Sequence, residues 1–133
     1  MARLVTVSAT IDGVDDETFG ANERGHAEFT RSTVLDNNQP QNVMEMQCRW
    51  GDECRVELRI TGQQLDNSDV RITGEMLLFE GTSESTNDLD GRKDFSFIVP
   101  KGKTATNSQH VDNQDEGGDF ADVRMTITNQ IVE

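Results

Sequence analysis

Hydrophobic and polar residues alternate strictly along the segment from Val43 to Ile60. The apolar residues occupy even positions on both sides of a Gly-Asp turn. They are Met44, Met46, Cys48 and Trp50 before the turn, and Cys54, Val56, Leu58 and Ile60 after it. Period-two alternation predicts two half-buried β-strands joined as a hairpin. Because a slip of one residue would turn the core face to solvent, even positions must pair with even positions. Two registers remain, with either Cys48 or Trp50 opposite Cys54.

The same alternation recurs elsewhere in the 133 residues. It predicts further strands at residues 3–11, 26–35, 70–79, 95–99 and 123–127, separated by segments rich in Asp, Asn, Gly and Pro. No window has the three- and four-residue apolar spacing of an amphipathic helix. We therefore predict a single domain over residues 1–133, folded as an all-β, antiparallel β-sandwich of about seven to eight strands, with Greek-key or C2/Ig-like architecture and little or no helix.

The chain is strongly acidic, and this charge limits which molecules it can bind. It contains 25 acidic and 12 basic residues, for a net charge of −13. Such a surface repels phosphate backbones, so we predict no direct nucleic-acid binding, whereas divalent cations and basic partner surfaces stay compatible with it. No run approaches the roughly 20 apolar residues of a membrane span, and the N-terminus lacks the apolar core of a signal peptide. Extracellular and cytoplasmic locations are both compatible with this sequence.

Acidic residues concentrate in the predicted loops. If successive strands reverse direction, alternate loops emerge at the same end of a sandwich. One pole then receives the predicted metal ligands Asp12, Asp15, Asp16, Asn87, Asp88 and Asp90. The opposite pole receives a second candidate metal cluster, Asp112, Asp115, Glu116, Asp119 and Asp122. Carboxylates gathered in this way repel one another unless they are neutralised.

Calcium is the cation that such loops favour, because Ca²⁺ takes six to eight oxygen ligands from flexible acidic segments. We therefore predict a Ca²⁺ site at the first pole. The arrangement resembles calcium-dependent C2 sandwiches in form, although no C2 motif matches residue by residue. The alternative is that Asp, Asn and Gly are ordinary turn residues and that the acidic loops are merely solvated.

Catalytic chemistry has little support in the sequence. His26 and His110 are isolated, and neither the G-x-S-x-G nor the H-E-x-x-H motif occurs. We predict no enzymatic activity and no catalytic residue, and Trp50 is predicted to pack in the core or at its rim. The first hairpin register would allow a disulfide between Cys48 and Cys54, and the alternative is two reduced, buried thiols.

These observations predict a non-catalytic binding module with Ca²⁺-binding acidic apical loops and a protein or carbohydrate ligand. The alternative is a structural or assembly protein, a β-domain that forms homo-oligomers or decorates a larger particle. Edge strands would be its docking sites.

Overall fold

A computed structural model describes residues 2–15, 21–114 and 118–132. These residues form eight strands: β1 (Arg3–Asp15), β2 (Glu23–Leu35), β3 (Gln41–Trp50), β4 (Cys54–Gln64), β5 (Val70–Glu80), β6 (Leu89–Val99), β7 (Thr104–Asp112) and β8 (Phe120–Ile131). All paired strands are antiparallel. The described ranges include no helix of the length and apolar character that a membrane span requires.

The strands form two four-stranded sheets that pack as a sandwich. Sheet A has the order β2-β1-β8-β7 and sheet B the order β3-β4-β5-β6. The predicted all-β antiparallel sandwich is therefore confirmed. Within this sandwich the connectivity is up-and-down. Neighbouring strands of each sheet follow one another in the chain, except where β1 pairs with β8.

The core consists of the inward-facing residues of both sheets. Trp50, at the end of β3, is 3% exposed and lies over Gly13 and Gly25, which are paired in register on β1 and β2. A Cβ at either glycine would lie 2.6 Å from a Trp50 side-chain atom, so only glycine leaves room for the indole. The prediction of a packed Trp50 is confirmed.

The β3–β4 hairpin adopts the second of the two predicted registers. Trp50 pairs with Cys54 and Cys48 pairs with Val56, so even positions match even positions as predicted. Gly51 and Asp52 both have positive φ, of 66° and 58°, and this tight turn sets the register. Cys48 and Cys54 are free, buried thiols. The structure therefore contradicts the disulfide, because the chosen register places Trp50 and not Cys48 opposite Cys54.

Strand β7 was absent from the predicted set, since residues 101–120 were interpreted as one loop. Its inward positions are Ala105, Asn107, Gln109 and Val111. The two polar residues in the middle interrupt the apolar alternation that would mark a strand. This unpredicted strand changes the pole at which the following loop lies. With β7 present, the loop at 113–119 returns to the same pole as the turns at 51–53 and 81–88.

Candidate functional site

Three buried aspartates lie at the pole that contains these loops. Asp15 ends β1, Asp90 lies near the start of β6, and Asp119 precedes β8; they are 4%, 8% and 5% exposed. Asp15 is on the inward parity of β1. A register shift on β6 between Gly91 and Leu89 turns Asp90 into a buried position, although Arg92 and Asp94 beyond it are exposed.

Two of these carboxylates form a compact cluster with a thiol. Asp15, Cys54 and Asp119 each offer one ligand atom, and the three atoms lie within 4.8 Å of one another. All three residues are buried. Within the described part of the chain, this is the one group of three or more His, Cys, Asp or Glu residues with that geometry. We call the set of Asp15, Cys54, Asp90, Asn113 and Asp119 the acidic apex.

The pKa of the Cys54 thiol reflects the electrostatic environment of the acidic apex. Burial raises the pKa of Cys54 far above its ordinary value, and the neighbouring charges of Asp15 and Asp119 raise it further. Burial likewise raises the pKa of Cys48 to about 11. Cys54 is therefore a neutral thiol at physiological pH.

Backbone hydrogen bonds hold the loops of the acidic apex together. The Asn113 amide donates to the Asp119 carbonyl at 3.0 Å, and the Gln114 amide donates to the Asp90 carbonyl at 2.7 Å. The Asn113 side-chain amide donates to the Glu80 carboxylate. These bonds connect the 113–119 loop to both β5 and β6, so both sheets contribute to the acidic apex.

The predicted first cluster is only partly assembled. Asp15 and Asp90 are buried in the acidic apex, whereas Asn87 and Asp88 are exposed in the β5–β6 loop. Asp12 faces solvent on the outer face of sheet A, where its carboxylate contacts His26. Asp16 lies outside the described residues.

The predicted second cluster is not a separate site. Asp119 joins Asp15 at the acidic apex, which corrects its predicted location at the opposite pole. Asp112 and Asp122 are exposed and contact His110. Asp115 and Glu116 lie outside the described residues. The prediction was wrong here because one missed strand reverses the pole of every later loop.

A second feature, which sequence reasoning missed, crosses the outer face of sheet A. The strand registers pair His26 with Asp12, Asp12 with Asp122, and Asp122 with His110. We call these four residues the histidine row. It includes both histidines of the chain. It lines an open depression of about 650 Å³ together with Thr10, Glu28, Ser108, Gln109, Val123 and Arg124.

Each imidazole of the histidine row lies between two carboxylates. His26 Nδ1 is 2.6 Å from Asp12 Oδ1, and its Nε2 is 3.1 Å from Glu28 Oε1. His110 Nδ1 and Nε2 lie 2.6 Å from Asp122 Oδ1 and Asp112 Oδ1. An imidazolium donates from both ring nitrogens and so satisfies two ionised carboxylates at once, because an ionised carboxylate only accepts hydrogen bonds.

The pKa values of both histidines agree with this geometry. The hydrogen bond to Asp12, followed by that to Glu28, raises the pKa of His26 above its ordinary 6.5. The hydrogen bond to Asp122 raises the pKa of His110, against a smaller opposing effect of burial. The signal available in the sequence was parity, since all four members occupy even positions on strands of sheet A.

A comparison of this chain with protein-family models gives no match, and neither does a comparison with curated proteins.

Proposed function

We propose that this protein is a non-catalytic, Ca²⁺-binding β-sandwich module in which the acidic apex holds the cation. The observation that supports it is the convergence of Asp15 and Asp119, both buried, to within 4.8 Å in a cluster with Cys54. Buried carboxylates at this separation disfavour each other's charged form, and a divalent cation is one means of compensating them.

The ligand chemistry favours a hard cation. Asp15 and Asp119 provide carboxylate oxygens, which are the ligand type that Ca²⁺ prefers. Cys54 is a neutral thiol with a raised pKa, so a soft metal such as Zn²⁺ would first have to displace its proton. Bound Ca²⁺ would join the 113–119 loop to the end of β1 and stiffen this pole for contact with a ligand.

A thermal melt in EDTA and then in excess Ca²⁺ tests the proposal. Modules of this kind bind with a Kd on the order of 10⁻⁴ to 10⁻³ M, and a hundredfold excess over Kd stabilises the folded state by about 2.7 kcal/mol. We expect a higher midpoint with Ca²⁺. Asp119→Asn should abolish the shift, and the matched control Asp88→Asn, exposed at the same pole, should retain it.

Two results would contradict the proposal. An identical wild-type midpoint in EDTA and in Ca²⁺ would show that the acidic apex binds no calcium. A Zn²⁺-specific shift that Cys54→Ser removes would identify a thiolate site instead, since that substitution leaves the carboxylate ligands of Ca²⁺ in place.

A second candidate function, self-assembly, is favoured by strand β2. This 13-residue strand is one of the two edge strands of sheet A, and only Leu35 within it is buried. Phe29 and Val34 are 49% and 46% exposed and occupy opposite faces of the strand. An exposed edge with apolar side chains on both faces is suited to pairing with another strand.

Light scattering at increasing protein concentration tests this assembly candidate. We expect the molar mass to rise with concentration and Phe29→Glu to keep it at the monomer value. The control Leu89→Glu places the same charge at another exposed apolar residue, on β6. A constant monomer mass for the wild type excludes self-assembly, and equal effects of the two variants exclude β2 as its surface.

A further inference from the structure

We propose that the histidine row is a proton-dependent clamp that holds the four strands of sheet A together near the acidic apex and releases them as pH rises. The proposal is independent of calcium binding. It rests on the register of the four residues, on the two carboxylates around each imidazole, and on the solvent access that the 650 Å³ depression provides.

The centre of the row is unfavourable without protonated histidines. Asp12 and Asp122 are directly opposite each other on β1 and β8. Cross-strand neighbours of this kind have Cβ atoms roughly 4.5–5.5 Å apart, and like charges at that distance destabilise the pairing. The imidazolium of His26 compensates Asp12 from β2, and that of His110 compensates Asp122 from β7.

Other charged groups on this face come from three of the four strands. Arg24 and Glu28 flank His26 on β2, Arg124 follows Asp122 on β8, and Asp112 follows His110 on β7. The β1 neighbours of Asp12, Thr10 and Val14, are uncharged. Deprotonation of both histidines therefore leaves four carboxylates, those of Asp12, Glu28, Asp112 and Asp122, without the imidazolium ions that they contact.

The ion pairs on the outer face of sheet B differ from those of the histidine row in the cation that they use. There, Arg59 is 2.8 Å from Glu57 and Arg92 is 2.9 Å from Glu75. A guanidinium keeps its proton throughout the physiological range, whereas an imidazolium does not. These acids of sheet B are therefore paired with permanent cations, whereas the acids of the histidine row are paired with titratable ones.

The sign of the pH effect follows from the raised pKa values of both histidines. The folded state binds these protons more tightly than the unfolded chain does. The stabilisation is therefore fully present below the ordinary histidine value of 6.5 and is lost as pH rises through the folded-state pKa values. High salt should weaken the effect, because the row is exposed.

Two-dimensional NMR of the full chain in EDTA provides the direct test. We expect both histidine pKa values above 6.5. Asp12→Asn should lower the pKa of His26 and leave that of His110 nearly unchanged, and Asp122→Asn should do the reverse. A pKa lower by about one corresponds to a tenfold weaker affinity for the proton. Ordinary pKa values in the wild type, or equal responses of both histidines to one substitution, would overturn the proposal.

Thermal melts between pH 5 and 9, again in EDTA, test the clamp itself. The wild-type midpoint should fall as pH rises above about 6.5, in line with the raised histidine pKa values. The double variant His26→Gln, His110→Gln should show a flatter profile over the same window. An equal decline in wild type and variant would overturn the clamp, because the titration would then belong to other groups.

Discussion

Trp50→Ala is expected to lower the free energy of unfolding by about 3–5 kcal/mol, which is the cost of removing a large buried aromatic side chain. Trp50 is 3% exposed and lies across Gly13 and Gly25, so it fills the space between sheet A and the β3–β4 hairpin. Its neighbours are glycines on paired strands and have no side chains with which to fill the cavity. Urea denaturation followed by far-UV circular dichroism measures the loss, since the variant has no tryptophan for fluorescence.

Trp50→Phe separates packing from hydrogen bonding. The indole Nε1 is buried and has no hydrogen-bond partner within the described residues. Phenylalanine keeps most of the packed volume and removes this unsatisfied donor, so we expect a change within about 1.5 kcal/mol. Phe29→Ala, at a half-exposed aromatic residue, should cost far less than Trp50→Ala. A cost for Trp50→Ala as small as that of Phe29→Ala would contradict the packing that the structure shows.

The second large effect is expected at the pole opposite the acidic apex. Asn129 is fully buried, and its Nδ2 donates to the carbonyls of Ser68 at 2.9 Å and Val99 at 3.1 Å. Its Oδ1 accepts a hydrogen bond of 2.8 Å from Nε of Arg3, which is 2% exposed. Asn129 thus joins β1 and β8 of sheet A to the end of β6 and the β4–β5 turn.

Asn129→Leu should destabilise the fold by roughly 3–5 kcal/mol. The substitution preserves approximate size but takes a hydrogen-bond partner from two carbonyls and from a buried guanidinium, at about 1–3 kcal/mol for each unsatisfied group. The control is Gln130→Leu at the next, exposed residue, which should change stability by no more than about 0.5 kcal/mol. Chemical denaturation measures the free energy of unfolding of both variants. A loss below about 1 kcal/mol for Asn129→Leu would show that the side-chain hydrogen bonds of Asn129 contribute little to stability.

Local alternation predicted the hairpin well. The eight residues that share a parity from Met44 to Ile60 face the core as predicted, except that Met46 is only partly buried, because strand geometry alone dictates which side chains share a face. Alternation did not decide the register of the hairpin, because it allowed either Cys48 or Trp50 opposite Cys54. The choice between them depended on the conformation of Gly51 and Asp52, which alternation does not encode.

The candidate site was less predictable. Asp15 and Asp119 were both identified as candidate ligands, but they were assigned to opposite poles because β7 was not predicted. Polar Asn107 and Gln109 interrupt the apolar alternation of its inward face. Cys54 was predicted to be either half of a disulfide or a reduced, buried thiol, although its Sγ lies within 4.8 Å of a carboxylate oxygen of both Asp15 and Asp119. Asn129 left a signal that went unused: a polar residue on the parity of Met125 and Ile127 indicates a buried group that requires hydrogen-bond partners.

The sequence by itself determined the all-β class, the antiparallel order of successive strands and the buried face of most of them, because these properties follow from residue spacing along a single strand. Only the tertiary structure decided strand β7, the pairing of β1 with β8, the placement of Asp15 and Asp119 at one pole, and the histidine row. Each of these depends on the register between segments distant in the chain, such as Asp12 opposite Asp122. That register results from the packing of two whole sheets against each other, which no local pattern specifies.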